Sequence, residues 1–292
     1  MKNMTWKFLG MGLTALISIS PVARGQMGQQ GMGQQSGMGR GMSHSTQTGQ
    51  QSTQGTQQTP PPQAQTPPAA LPPVDPVEEA DYKKVTGKHS DPKVMVADAT
   101  DFLTKYPKSR YNSIVYAQLA NAYLQLGDPD KTGSAAQKAV DLNPDNPDAV
   151  SLLAYVFLRG TKAGPVTMER VRVTEALARH GIQLLNALQK PPEVSDADFD
   201  TARKEKLSMC HSAMGYAYLN ESKNQEAAQE LVEAIHLSSS PDPVDQFLLG
   251  VAYESSKQYA QALTAYEACA KDPAIGPRCA QGLKDVKDKA KQ

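Results

Sequence analysis

The sequence lacks a surplus of either charge. It contains 30 basic and 30 acidic residues among its 292, and aromatic residues make up only 6% of the chain. Nucleic-acid binding depends on positive surface that neutralises phosphates, often with aromatic side chains that stack on bases. No basic stripe of this kind is present. The composition therefore argues against a nucleic-acid partner.

Long apolar runs are also missing. The apolar stretch at residues 8–19 is shorter than the roughly 20 residues that a helix needs to cross a bilayer, so we expect no transmembrane segment. This stretch follows Lys2 and Lys7 and precedes the small residues Ala23 and Gly25. That order is typical of a secretory signal peptide. We predict that residues 1–25 are a signal peptide and that the protein is exported, either to the periplasm or to the extracellular space.

Motifs for catalysis are absent as well. The sequence contains no His-Glu-x-x-His, no Cys-x-x-Cys and no phosphate-binding glycine loop. His180 and His211 fall on neighbouring predicted helices, but two imidazoles without a carboxylate or thiolate at a metal-binding spacing indicate structural histidines. The sequence therefore predicts no enzyme activity, no metal site and no cofactor.

A low-complexity arm follows the predicted signal peptide. Residues 26–76 are rich in Gln, Gly and Met and then in Pro. Such a segment cannot bury enough apolar surface to offset the entropy of ordering, so we predict that it is disordered. Two other roles stay open. The arm could tether a structural or assembly component of the cell envelope, or its thioethers could bind Cu(I). The copper hypothesis depends on Met27, Met32, Met38, Met42 and His44.

The remainder of the chain repeats one helical-hairpin pattern, in which small and aromatic residues recur at fixed spacings. The three clearest copies contain, in order, Leu119, Tyr123, Gly127, Ala139 and Pro144; Gly215, Tyr218, Ala227, Leu231 and Ala234; and Gly250, Tyr253, Tyr259, Ala262 and Tyr266. This pattern resembles the tetratricopeptide repeat. The Trp of that repeat is missing, and Tyr116, Val150, His211 and Gln246 occupy its positions. Together with the signal peptide, the chain resembles secreted bacterial tetratricopeptide-repeat proteins of uncharacterised role.

The resemblance implies an all-α solenoid at residues 77–292, with about five helical hairpins and a C-terminal cap helix. The repeat period fails in the middle of this region. Long helical patterns occupy residues 167–189 and 195–220, and they are separated by Pro191 and Pro192, which a helix interior does not accommodate. We therefore expect an extended helical hairpin at about residues 166–220.

Tetratricopeptide-repeat arrays usually bind other proteins, so the resemblance implies an exported scaffold for a protein or peptide partner. In the family, the first helix of each hairpin lines a concave groove. The family positions that contact a partner correspond here to Asn121, Leu124, Tyr155, Leu158, Arg159, Tyr216, Leu219, Phe247, Val251 and Glu254. The family's clamp for a terminal carboxylate needs a Lys where this chain has Ala117. The aromatic residues favour an apolar groove for an extended or helical peptide, although some of them could equally belong to the core.

Only three cysteines are present, at positions 210, 269 and 279. Export would permit a disulfide, and an odd number leaves one thiol unpaired. Cys269 closes one predicted helix and Cys279 opens the next, so the spacing favours a bond between them. Alternatively, Cys269 replaces the small Ala of the repeat and remains a buried thiol. We expect Cys210 to be the unpaired cysteine in either case.

Overall fold

Eleven helices make up the part of the chain that the structure, a computed structural model, describes: residues 73, 75–87, 91–160 and 164–291. No strand is found in these residues. The helices are α1 Pro76–Thr86, α2 Pro92–Lys105, α3 Asn112–Gln125, α4 Pro129–Leu142, α5 Pro147–Phe157, α6 Met168–Ala187, α7 Asp196–Asn220, α8 Asn224–Leu237, α9 Pro243–Ser255, α10 Tyr259–Cys269 and α11 Gly276–Lys289.

Local sequence sets where many of the helices begin. Proline opens α1, α2, α4, α5 and α9, and in each case a preceding Asp or Asn accepts a hydrogen bond from a first-turn backbone N–H. Proline suits this position because its fixed φ is helical and its missing N–H would have no helical partner. The carboxylate or amide oxygen satisfies one of the donors that the helix end leaves free. The Asp-Pro and Asn-Pro pairs between helices therefore set where these short helices begin.

The helices pair into five antiparallel hairpins, α1–α2, α3–α4, α5–α6, α7–α8 and α9–α10, and α11 packs on the last pair. The first helix of each hairpin approaches the first helix of the next hairpin. Cα atoms lie within 8 Å of each other in the pairs α1–α3, α3–α5, α5–α7 and α7–α9, and also between α9 and α11. Successive second helices within the described chain do not come this close. The first helices therefore form the inner side of a curved solenoid, here called the inner face. The predicted all-α solenoid of five hairpins and a cap helix is confirmed.

The two helices α6 and α7 are longer than the rest. They contain 20 and 25 residues, whereas the other helices have 11 to 14. Ser195 caps α7 by accepting a hydrogen bond from the backbone N–H of Asp198, and side chains of α7 become buried only from Leu207 onward. The first half of α7 thus extends beyond the packed core. The turn between the two helices contains Pro191, as the sequence predicts.

The cap helix α11 is held by close packing around one buried tyrosine. Tyr266 of α10 is 1% exposed, and its ring lies between Gly250 of α9 and Gly282 of α11. A methyl group added at either glycine would come within 2.6 Å of a ring atom. Cys269 and Cys279 form a disulfide with their Cα atoms 6.0 Å apart. The cap is therefore fixed both covalently and by van der Waals contact.

All eleven helices belong to one compact unit. The predicted signal peptide, nearly all of the predicted arm and the candidate copper ligands lie outside the described residues. Within the described helices, none has both the length and the apolar character to cross a membrane.

Candidate functional site

The inner face is the candidate site, because it carries the positions that the family resemblance assigns to partner contact. On α3, Asn121, Leu124 and Gln125 are half-buried side chains. Leu124 rests against the core cluster that contains Phe102 and Leu119. Asn121 and Gln125 lie one turn apart, so their amide groups present donors and acceptors along one line of this helix. This part of the inner face is polar and uncharged.

One predicted contact residue lies in the core. Leu158 is only 5% exposed, and it packs against Val171 of α6 and Ala217 of α7. The side chain is therefore part of the core between hairpins and cannot reach a partner. Leu158 is the C-cap residue that follows Phe157, the last residue of α5.

The positions on α9 are in contact with the cap. Val251 packs with Tyr266 and Val286, and the carboxylate of Glu254 accepts hydrogen bonds from Tyr266 Oη and from Lys289 Nζ, both at 2.7 Å. Phe247 packs beside the disulfide, and the guanidinium carbon of Arg278 lies 4.8 Å from its ring centre. These three side chains mainly hold α11 in place. The structure therefore places three of the predicted groove residues against the predicted cap helix.

A polar network occupies the centre of the inner face, where an apolar groove was expected. Arg159 Nη2 donates hydrogen bonds to Asp245 Oδ1 and to Ser212 Oγ, each at 2.8 Å. Ser212 Oγ in turn donates to Asp245 Oδ1 at 2.5 Å. Tyr155 Oη donates to Asp242 Oδ2 at 2.5 Å. Three consecutive hairpins therefore meet in one hydrogen-bonded cluster.

The network is mostly removed from water. The side chain of Arg159 is 14% exposed and that of Asp245 only 4%. The guanidinium carbon of Arg159 lies 4.2 Å from the ring centre of Tyr155 and 5.7 Å from that of Tyr216, a cation–π arrangement. Burial raises the pKa of Asp245 to about 6, although the Arg159 guanidinium pulls it down. Burial also raises the pKa of the Tyr155 phenol well above its ordinary value.

Helix ends explain why these charges lie where they do. Arg159 follows the C-terminal end of α5, and its Nη1 donates to the Tyr155 carbonyl oxygen at 2.9 Å. Asp242 caps α9 and Asp245 lies in its first turn. A cation at a helix C-terminus and carboxylates at an N-terminus both complement the helix dipole. The repeat positions include Tyr155, Arg159 and Tyr216 but not the two aspartates, whose Asp-Pro-Val-Asp pattern indicates only a helix start.

Leu219 completes the set of predicted positions. It is half-buried on α7 and packs against the central core cluster, as does Tyr216. Both side chains therefore support the core while keeping part of their surface on the inner face. Tyr216 and Leu219 therefore belong partly to the core, which is the alternative that the sequence left open for the predicted groove residues.

The histidines that the sequence assigned a structural role have local partners. His211 Nδ1 lies 2.7 Å from Glu230 Oε2, and His180 Nε2 lies 3.1 Å from Asp145 Oδ1. In the described part of the chain, no three His, Cys, Asp or Glu residues are grouped so that they could hold a metal ion. Cys210 is buried and unpaired, and burial raises the pKa of its thiol to about 12. Its surroundings do not favour a reactive thiolate.

Comparison with known proteins agrees with the hairpin architecture. A tetratricopeptide-repeat family model matches residues 114–146 and 246–271, which lie in the second and fifth hairpins. A thermophilic tetratricopeptide-repeat protein of Thermus thermophilus is 14% identical with a TM-score of 0.45, and the match covers 70% of this chain and 98% of that one. PilW, a type IV pilus biogenesis factor, is 15% identical with a TM-score of 0.45, and the match covers 74% and 93%. No curated protein matches the sequence. Because both TM-scores are below 0.5, neither likeness indicates what this chain binds.

Proposed function

We propose, from the premise that this chain belongs to the tetratricopeptide-repeat family, that it is an exported scaffold that binds a protein or peptide partner on its inner face. Proteins with the tetratricopeptide-repeat fold typically act in protein–protein interactions. The observation that carries the proposal is the approach of successive first helices while the second helices stay apart. This arrangement curves the solenoid and gives it an extended concave surface, the feature that repeat proteins use for binding.

The accessible chemistry of this surface favours a peptide over a charged ligand. Asn121 and Gln125 of α3 present amide groups, which pair with the N–H and C=O groups of an extended backbone. Arg159 and Asp245, at the centre of the inner face, form an ion pair and neutralise each other. A partner bound mainly by its terminal carboxylate is disfavoured because Ala117 occupies the position of the family's Lys and is buried. We therefore propose a segment bound through its main chain and through apolar side chains.

Export is part of the same proposal. It is supported by the order of charged, apolar and small residues in the first 25 positions. The Cys269–Cys279 disulfide is also consistent with an oxidising compartment, since such bonds are rare in the reducing cytosol. Detection of the chain, with residues 1–25 removed, in the periplasmic or extracellular fraction would test this part. Uncleaved chain confined to the cytosol would contradict it.

The binding proposal is tested by charge placed on the inner face. We expect the double variant Asn121→Arg and Gln125→Arg to lose partner capture, because two cations would lie where the peptide backbone binds. The matched control is Gln183→Arg, an exposed amide on the second helix α6. Capture from the native exported fraction, quantified by mass spectrometry, should be unchanged for this control. Thermal unfolding of all variants shows whether each keeps the fold.

Two outcomes would contradict the binding proposal. Capture that survives both inner-face substitutions would remove the inner face from the interaction. Equal loss of partner capture with Gln183→Arg would show that the effect comes from the added charge and not from its position on the inner face. A variant that lacks residues 26–72 separates this function from a tether, because it keeps the Asp75 cap of α1. Loss of capture in that variant alone would favour the cell-envelope role of the arm.

A further inference from the structure

Two side-chain pairs connect hairpins that are not neighbours. In repeat arrays, each repeat normally contacts only the repeats before and after it. Here Tyr155 and Arg159 belong to the third hairpin, whereas Asp242 and Asp245 belong to the start of the fifth. No Cα atom of α5 lies within 8 Å of one in α9. The connection is therefore made by side chains that reach across the fourth hairpin.

These side chains cross the inner face above α7. Arg159 Nη2 contacts both Ser212 of α7 and Asp245 of α9, and the guanidinium lies over the ring of Tyr216. Tyr155 makes the second crossing through its hydrogen bond to Asp242. Backbone packing between neighbouring hairpins requires none of these contacts. The network thus adds a direct link between hairpins three and five to the ordinary nearest-neighbour packing.

We propose that Tyr155, Arg159, Asp242 and Asp245 form a strap that couples the third and fifth hairpins, fixes the curvature between them and covers the inner face of α7. A buried ion pair adds little net stability when it is compared with apolar residues, but it strongly disfavours arrangements that separate its charges. Straightening the solenoid would separate Arg159 from Asp245 and break their ion pair. The strap therefore selects one curvature from those that hairpin packing alone permits.

Hydrogen exchange tests the coupling without knowledge of a partner. We expect Arg159→Met, which keeps the apolar stem but removes the charge, to speed amide exchange in α9 and α10 by about tenfold, within the range measured for coupled networks. Tyr155→Phe removes only the bond to Asp242, and we expect a change of about threefold in the same helices. Small-angle scattering should show a larger radius of gyration for Arg159→Met. If that variant fails to fold, Tyr155→Phe still tests the strap.

The matched control breaks an ion pair between adjacent hairpins. Lys206 Nζ of α7 lies 3.0 Å from Asp148 Oδ1 of α5, so Lys206→Met removes a link between neighbours only. We expect wild-type exchange in α9 and α10 for this variant. The strap is overturned if Arg159→Met and Tyr155→Phe both leave exchange in these helices unchanged. It is also overturned if Lys206→Met accelerates exchange there as much as Arg159→Met does.

Discussion

Replacing Gly282 with alanine tests how the cap helix is attached. A Cβ atom at this position would lie 2.6 Å from Cζ of Tyr266 and 2.7 Å from Cε2, much closer than carbon atoms normally approach. The ring cannot move aside easily. It is 1% exposed, faces Gly250 on its other side, and its hydroxyl donates to Glu254. The added methyl group must therefore push α11 away from α10.

Two effects of opposite sign determine how much Gly282→Ala changes the free energy of unfolding. Alanine favours the helix by up to about 1 kcal/mol relative to glycine. Overpacking a tightly filled core costs about 1–3 kcal/mol, and the distances here place Gly282 at the upper part of that range. We therefore expect Gly282→Ala to lower the free energy of unfolding by about 1–2 kcal/mol. Gly250→Ala should act in the same direction because its Cβ would meet the same ring.

Urea denaturation followed by circular dichroism measures this difference, and Gly133→Ala is the matched control. Gly133 also lies inside a helix, but an added Cβ would have its nearest neighbour at 3.5 Å, an ordinary contact with Val156. The control should gain up to about 1 kcal/mol from helix propensity. The reasoning is refuted if Gly282→Ala is as stable as wild type, or if both substitutions change stability equally.

Three further predictions concern the cap, the free thiol and the long helix. Cys279→Ser should cost about 2–3 kcal/mol in urea denaturation, the chain-entropy value for a loop this short; three free thiols in unreduced, denatured protein would contradict the bond. Cys210 should resist alkylation in the native state at pH 8, since burial raises its pKa to about 12, and should react in urea; fast native labelling would show that it is accessible. Ser195→Ala should speed exchange in the first turns of α7, whereas Ser195→Thr, which keeps the cap, should not; equal exchange in the two variants would remove the capping role.

Local sequence patterns were sufficient to predict most of the fold. Asp-Pro and Asn-Pro pairs mark helix starts, and small residues at repeat spacing mark the places where helices approach closely, so hairpins could be predicted from the sequence. Pro191 and Pro192 likewise revealed the turn between α6 and α7. These signals work because capping and proline sterics act over a few residues, within reach of a sequence pattern.

The site was less accessible to prediction because it depends on distant residues. Arg159 and Asp245 are 86 positions apart, and nothing local indicates that an arginine after α5 meets an aspartate at the start of α9. The contact positions taken from the family repeat also assume that the inner face is uncovered along the whole array. In the structure Leu158 is buried and α11 packs against Val251 and Glu254. Both placements depend on tertiary packing, which the repeat positions alone do not encode.

Site-specific photo-crosslinking is the most direct test of the central claim that the inner face binds a partner. A photoreactive amino acid would replace Asn121 on the inner face in one variant and Gln183 on the second helix α6 in another, each expressed with the full chain in its native cells. We predict a discrete crosslinked species from position 121 and none from position 183. Crosslinking from position 183 with none from position 121 would contradict the account.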